Sequence, residues 1–200
     1  MNNLTKIITI AAVLLIASSA HATITIATFA DPTADASTPL FTVDFNGSLI
    51  TGGWAGTGLN LNVLSSTTYY DAVFTITDVT ITSDSDPFFG FKTEGGTIKF
   101  FESDQTTEIL TVEFNVGWVT ISQLGGADFE GQDVTITGPA LGGLILDEET
   151  FAFSFTNQLP IQGDLTDGFT ATAAFTSSAV PEPATIILLS LGSLAIFNRN

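Results

Sequence analysis

Apolar and polar residues alternate over most of the chain. Phe41, Val43 and Phe45 share one parity, with Thr42 and Asp44 between them. Leu59, Leu61 and Val63 alternate with Asn60 and Asn62, and Leu110, Val112, Phe114 and Val116 alternate with Thr111, Glu113 and Asn115. Val134 and Ile136 repeat the pattern, as do Phe151, Phe153 and Phe155, and then Phe169, Ala171, Ala173 and Phe175. A period of two sends successive side chains to opposite faces, so each run predicts a strand with one face on a core. The run from Ala72 to Thr82 departs from this rule. Phe74 and Ile76 share one parity, while Val79 and Ile81 share the other. The apolar face changes side at Asp78, which predicts a β-bulge or a strand that crosses between sheets.

Turn residues separate these runs: Asn46-Gly47, Gly52-Gly53, Asp86-Pro87, Gly95-Gly96, Gly125-Gly126, Gly138-Pro139 and Gly142-Gly143. Each supplies the φ values or the missing donor that a turn requires. No stretch of the body keeps a helical period, and Thr and Val favour strands. The expectation is an all-β body, an antiparallel β-sandwich or jelly-roll of many short strands. The glycine pairs are unevenly spaced, which argues against a solenoid. Most Phe positions fall on the apolar parity and read as core. In Phe88-Phe89-Gly90-Phe91 neighbouring rings face opposite ways, so one of Phe88 and Phe89 needs a second apolar surface.

The two ends differ from the body. Met1–Lys6 is short and polar with one cation, Lys6. Ile7–Ala17 is apolar apart from Thr9, and small residues stand at Ala20 and Ala22. This order predicts a helical signal peptide over residues 1–22, cleaved after Ala22. Its apolar stretch falls short of the roughly 20 residues of a spanning helix. At the other end, Ala184–Phe197 is apolar with only mild interruptions, and Arg199 follows. Pro181 and Pro183 delay any helix until Ala184. The expectation is a short membrane helix over about 184–197, with Arg199 as the membrane-stop charge on the cytoplasmic side. Between the ends lies a body over 23–179, with Ser177–Pro183 read as a linker.

Val180-Pro181-Glu182-Pro183-Ala184-Thr185, the apolar run and the terminal cation together resemble the PEP-CTERM sorting signal over residues 180–200. Pro181, Glu182 and Pro183 are the positions that match the tripeptide. The family commonly ends in several arginines, whereas Arg199 stands alone here. The resemblance implies a membrane enzyme of the exosortase type as partner, a transient anchor in the inner membrane, and a final place at the cell surface or outside it. It also implies a Gram-negative cell that makes exopolysaccharide.

Composition limits the chemistry of the body. The formal net charge is −17, and there is no Cys. The single His is His21, and the body's only cations are Lys92 and Lys99. A Ser-His-Asp or Cys-His nucleophile therefore has no imidazole base. Zinc and copper sites lack their usual ligands. Phosphate clamps and a nucleic-acid footprint lack their cations. The acidic excess is either a solvated surface or a source of oxygen ligands for calcium. The calcium candidates are Asp31 with Asp35, Asp84 with Asp86, and Asp147-Glu148-Glu149, none in EF-hand spacing.

These readings converge on an exported, non-enzymatic protein of the cell surface or extracellular matrix, associated with exopolysaccharide or biofilm. The alternative is a carbohydrate-binding module. Its ring candidates are Trp54 among glycines, which reads better as a loop plug than as a sugar contact, and Tyr69 and Tyr70 beside a turn. Trp118, on an apolar strand, reads as core. A glycoside hydrolase or lyase needs two opposed carboxylates, and no pair stands out in the sequence.

Overall fold

The computed structural model describes residues 22–33, 35–86, 90–121 and 127–181. The predicted signal peptide, apart from Ala22, and the C-terminal membrane helix lie outside these residues, as do Phe88 and Phe89. Among the described residues no helix is long and apolar enough to cross a membrane.

Twelve strands follow one another: β1 (Ile24–Phe29), β2 (Phe41–Asp44), β3 (Leu49–Trp54), β4 (Leu61–Val63), β5 (Thr67–Tyr69), β6 (Val73–Ile76), β7 (Val79–Asp86), β8 (Gly90–Phe101), β9 (Glu108–Ile121), β10 (Ala127–Thr137), β11 (Leu146–Pro160) and β12 (Gly168–Pro181). One turn of 3-10 helix, Pro139–Leu141, precedes β11. The all-β expectation holds, but the two-sheet sandwich gives way to a different closure. The strands form a single sheet in the order β11-β10-β9-β8-β6-β3-β2-β12, and β12 pairs back onto β11. Those eight strands make a closed barrel. The reason lies in strand length. The sequence suggested short strands, yet β8, β9, β11 and β12 run to 12, 14, 15 and 14 residues. Strands of that length can tilt and coil until the two edges of the sheet meet.

β12 has two neighbours on its other edge. Gly168–Ala171 pair with β2, and Phe175–Ala179 pair with β1. β1 carries β4 and β5 beyond it as a side extension. Ser177–Pro181 is thus not a linker. It is the end of a strand flanked by β1 on one side and β11 on the other.

The phase change at Asp78 is real, and it extends across four strands. Ile76, Ile98, Val112 and Ile136 lie side by side in register, and all are buried. Five positions further along each strand, Ile81, Thr93, Gly117 and Gly131 lie side by side in the same register. An odd separation means that every strand swaps its inward parity between these rows. The swap passes through Thr77-Asp78, where β6 gives way to β7, and then between the same two rows of β8, β9 and β10. No residue of register is lost. Each long strand can therefore turn around the barrel while keeping its apolar residues inside.

Phenylalanine fills the interior. Phe153 has its ring centroid 4.8 Å from Phe41 and 4.9 Å from Phe175. It also contacts Phe29, Phe74 and Phe129 at 6.1–6.4 Å. Rings from β1, β2, β6, β10, β11 and β12 thus meet at one side chain that is 0% exposed. Gly131 is fixed by this packing, because a Cβ there would fall 2.2 Å from the Phe151 ring.

The turns hold themselves with carboxylates. In the β8–β9 connection Asp104 accepts the Thr107 hydroxyl at 2.6 Å and the Thr107 and Thr106 N–H groups at 2.8 and 2.9 Å. Those bonds, led by the Thr107 hydroxyl, favour the charged form and lower the Asp104 pKa from 3.8 to about 2.

Two measurements check this account. Phe153→Ala leaves a cavity where six strands meet and should destabilise the barrel by about 3–5 kcal/mol in denaturant unfolding. A loss below about 1 kcal/mol would mean that the rings do not depend on one another. For Asp104 the folded pKa is depressed, so its contribution is complete above the ordinary carboxylate range and is lost as pH falls through about 2. A carboxyl NMR titration should place its midpoint near 2, and in Thr107→Val the midpoint should move up toward 3.8.

Candidate functional site

Trp54 ends β3 opposite Phe74, with which it shares the core-facing side of the sheet. It is half-buried against the core, and its ring lies on Gly56, where a Cβ would fall 2.7 Å from Cζ2. Its Nε1 is buried and has no hydrogen-bond partner among the described residues. Half-burial against the core is the geometry of a plug. Tyr69 packs on the core from β5, while Tyr70 just beyond it is exposed. The three rings offered by the sequence do not form one aromatic platform.

Trp118 is where the sequence reading fails. It lies on the outside of the barrel, not in the core. Its register neighbours are Lys92 on β8 and Glu130 on β10, and it is half-buried between them. The signal was present in the phase change: once parity swaps along β9, Val119 is inside and Trp118 must face out.

Beside Trp118 the sheet opens. β10 pairs with β11 only from Ala127 to Glu130, although β10 continues to Thr137 and β11 begins at Leu146. Beyond Glu130 the two strands part. The Glu149 carboxylate reaches across and accepts the Ile136 N–H at 3.1 Å. A bulge between Asp147 and Thr150, with Glu148 at φ 52°, shifts β11 at this place. The result is a groove of about 200 Å³, lined by Glu130, Gly131, Thr150, Phe151, Ala152, Thr176 and Ser178. Its floor is apolar and its rim carries hydroxyls, with Thr150 Oγ1 and Ser178 Oγ 2.9 Å apart. Glu130 is the one carboxylate in the lining, and it also flanks Trp118.

Two of the acidic candidates, Asp31 and Asp35, serve local turns. Asp31 Oδ1 accepts the Thr33 N–H at 3.0 Å. Asp35 accepts the Ser37 N–H at 2.9 Å and the Ser37 hydroxyl at 2.7 Å, the first of which does most to lower its pKa. Asp84 and Asp86 stand in β7. Among the described residues no group of three or more His, Cys, Asp or Glu side chains is placed to hold a metal ion.

Of the sorting positions, Pro181 is the last residue of β12, paired with Leu146. Glu182, Pro183 and Arg199 lie outside the described residues, as does Ala20. Ala22 is exposed, two residues before β1 begins. Ile24 pairs with Ala179, so the start of the body and the start of the motif are neighbours in the sheet.

No curated protein and no solved structure matches the chain. Residues 179–199 match the family described as the PEP-CTERM protein-sorting motif. That match covers the C-terminal segment and not the barrel. It marks the chain for export and for a membrane-anchored sorting step, in a motif whose first residues, Ala179–Pro181, are also the last residues of a barrel strand.

Proposed function

We propose that this protein is a non-enzymatic β-barrel delivered to the cell surface or extracellular matrix by an exosortase-type enzyme, where it associates with exopolysaccharide. The observation that carries this reading is the continuity of motif and fold. The sorting motif begins inside β12, so the segment the enzyme handles is joined directly to the barrel. The body acts as cargo, and the apolar segment 184–197 acts as its anchor until processing.

A second reading, sugar binding, is favoured by the outer surface of the sheet. An outward Trp118 offers an indole face of the kind that stacks on pyranose rings. Glu130 and the hydroxyls of Thr150, Thr176 and Ser178 offer hydrogen bonds to sugar hydroxyls beside it. Hydrolysis would require a second carboxylate across the cleft, and the groove lining has Glu130 alone. The arrangement supports holding a glycan, not cleaving it.

Sorting is tested with Glu182→Ala in cells that carry the exosortase-type enzyme. The unaltered chain should leave the membrane fraction in a shortened form, whereas the variant should stay there at full length. Identical fates for the two would remove the sorting reading. Sugar binding is tested by affinity electrophoresis in gels containing the host exopolysaccharide. Trp118→Ala should lose about 1 kcal/mol or more of binding, roughly a fivefold weakening, while Tyr70→Ala should bind as the unaltered protein does. Equal retardation of all three would show that Trp118 is not the contact.

A further inference from the structure

Four large apolar side chains are markedly exposed among the described residues: Tyr70, Leu144, Ile145 and Leu159. Two of them are adjacent. Leu144 is 39% and Ile145 62% exposed, and both sit in the connection between the 3-10 turn and β11. The loop is built to stand clear of the barrel. Gly142 and Gly143 take φ values of 61° and 82°, and a Cβ on either would meet nothing within 4 Å. It is also held in shape. The Leu141 N–H bonds Gly138 O at 3.2 Å, the Gly142 N–H bonds Pro139 O at 3.2 Å, and the Leu144 N–H bonds Leu141 O at 3.1 Å. The tip is a preformed apolar knob whose base is the buried Leu141.

Its position gives it a partner. Leu146, the first residue of β11, is the register neighbour of Pro181, the last residue of β12. Only Glu182 and Pro183 separate Pro181 from the apolar segment that starts at Ala184. Three peptide steps reach at most about 10 Å. While that segment is in the membrane, the end of the barrel bearing Pro181 cannot stand off from the bilayer surface. The exposed pair, in the loop that leads into the neighbouring strand, is at that same end of the barrel.

We propose that the loop Gly142–Ile145 enters the interfacial layer of the bilayer and docks the barrel on the membrane while the C-terminal segment anchors it. This rests on the reading of 184–197 as a membrane anchor. Exposed Asp147 and Glu148 follow the tip, so the lipid it suits is zwitterionic and not anionic. Apolar side chains beside a tether gain from burial in the headgroup boundary with no further loss of freedom in bringing them there.

The chain has no Cys, so single probes can be placed by Ile145→Cys, just before β11, and by Leu159→Cys, at the far end of β11. The full chain is labelled with a polarity-sensitive fluorophore and reconstituted into phosphatidylcholine vesicles, with and without spin-labelled lipid. The expected result is flotation of both variants with the vesicles. The probe at 145 should shift to the blue and lose most of its emission to the lipid-borne quencher, while the probe at 159 loses little. Flotation with a water-like probe at 145 would overturn the docking proposal alone. So would a probe at 145 that is shielded yet unquenched, since protein and not lipid would then cover the tip. Failure to float would overturn the anchor reading, and the docking proposal with it.

Discussion

β12 is paired along both edges, and three strands share it. β11 runs along one edge, while β2 and β1 divide the other. Without β12 the eight-stranded ring becomes an open sheet, and β1, β4 and β5 lose the pairing that joins them to it. An open sheet of this length presents unpaired N–H and C=O groups along two edges, the state in which β-proteins associate with one another. Closure also defines the interior. Phe153 of β11 meets Phe41 of β2 and Phe74 of β6, and Phe175 of β12 meets Phe100 of β8, across the interior of the closed sheet. With no disulfide available, that ring cluster and the ladder that encloses it carry the stability of the barrel.

The parity swap is the second constraint, and it links the core to the surface. Here the change falls in the same interval on β6/β7, β8, β9 and β10, so packing remains in register on both sides of it. Two consequences follow. Gly131 is brought under the Phe151 ring, where no side chain fits. Trp118 is turned outward between Lys92 and Glu130, next to the place where β10 and β11 part. The groove is therefore a product of how the barrel bends.

This explains which features were legible in the sequence. Alternation at Phe41–Phe45, Phe151–Phe155 and Phe169–Phe175 located strands, because one parity of each carries the large apolar side chains of the core. The break at Asp78 located the bend. β1, β3, β5 and β8 were missed. In β3 the Gly52-Gly53 pair reads as a turn, yet Gly52 is the position that admits the Phe41 ring. In β8 the Gly95-Gly96 pair likewise reads as a turn, although it lies within a continuous strand. Closure was not legible at all, since pairing of β11 with β12 differs from pairing in a sandwich only in its partner. Trp118 was misplaced for a related reason. The period of two was carried through β9 without the swap that its neighbour at Asp78 had already announced. Ser177–Pro181 was read as linker because small and proline residues dominate it. Burial of Ser177, whose Oγ accepts the Ala27 N–H at 3.1 Å, makes it strand.

The same small residues decide the order of events at the C-terminus. Contacts between β1 and β12 join positions about 150 apart, as in the Ala27–Ser177 bond. Such contacts carry a large loop-closure cost, and they slow the folding of a sheet that depends on them. β12 is also the last part of the body to be made. The barrel therefore closes only once the residues next to the sorting motif are available outside the membrane. Pro181 then ends the ladder, because it has no N–H to offer and the residue after it precedes another proline. The motif reads as a stop for the strand on one side and as a handle for the sorting enzyme on the other. A body that has not closed leaves Ala179–Pro181 without their partners on β1 and β11.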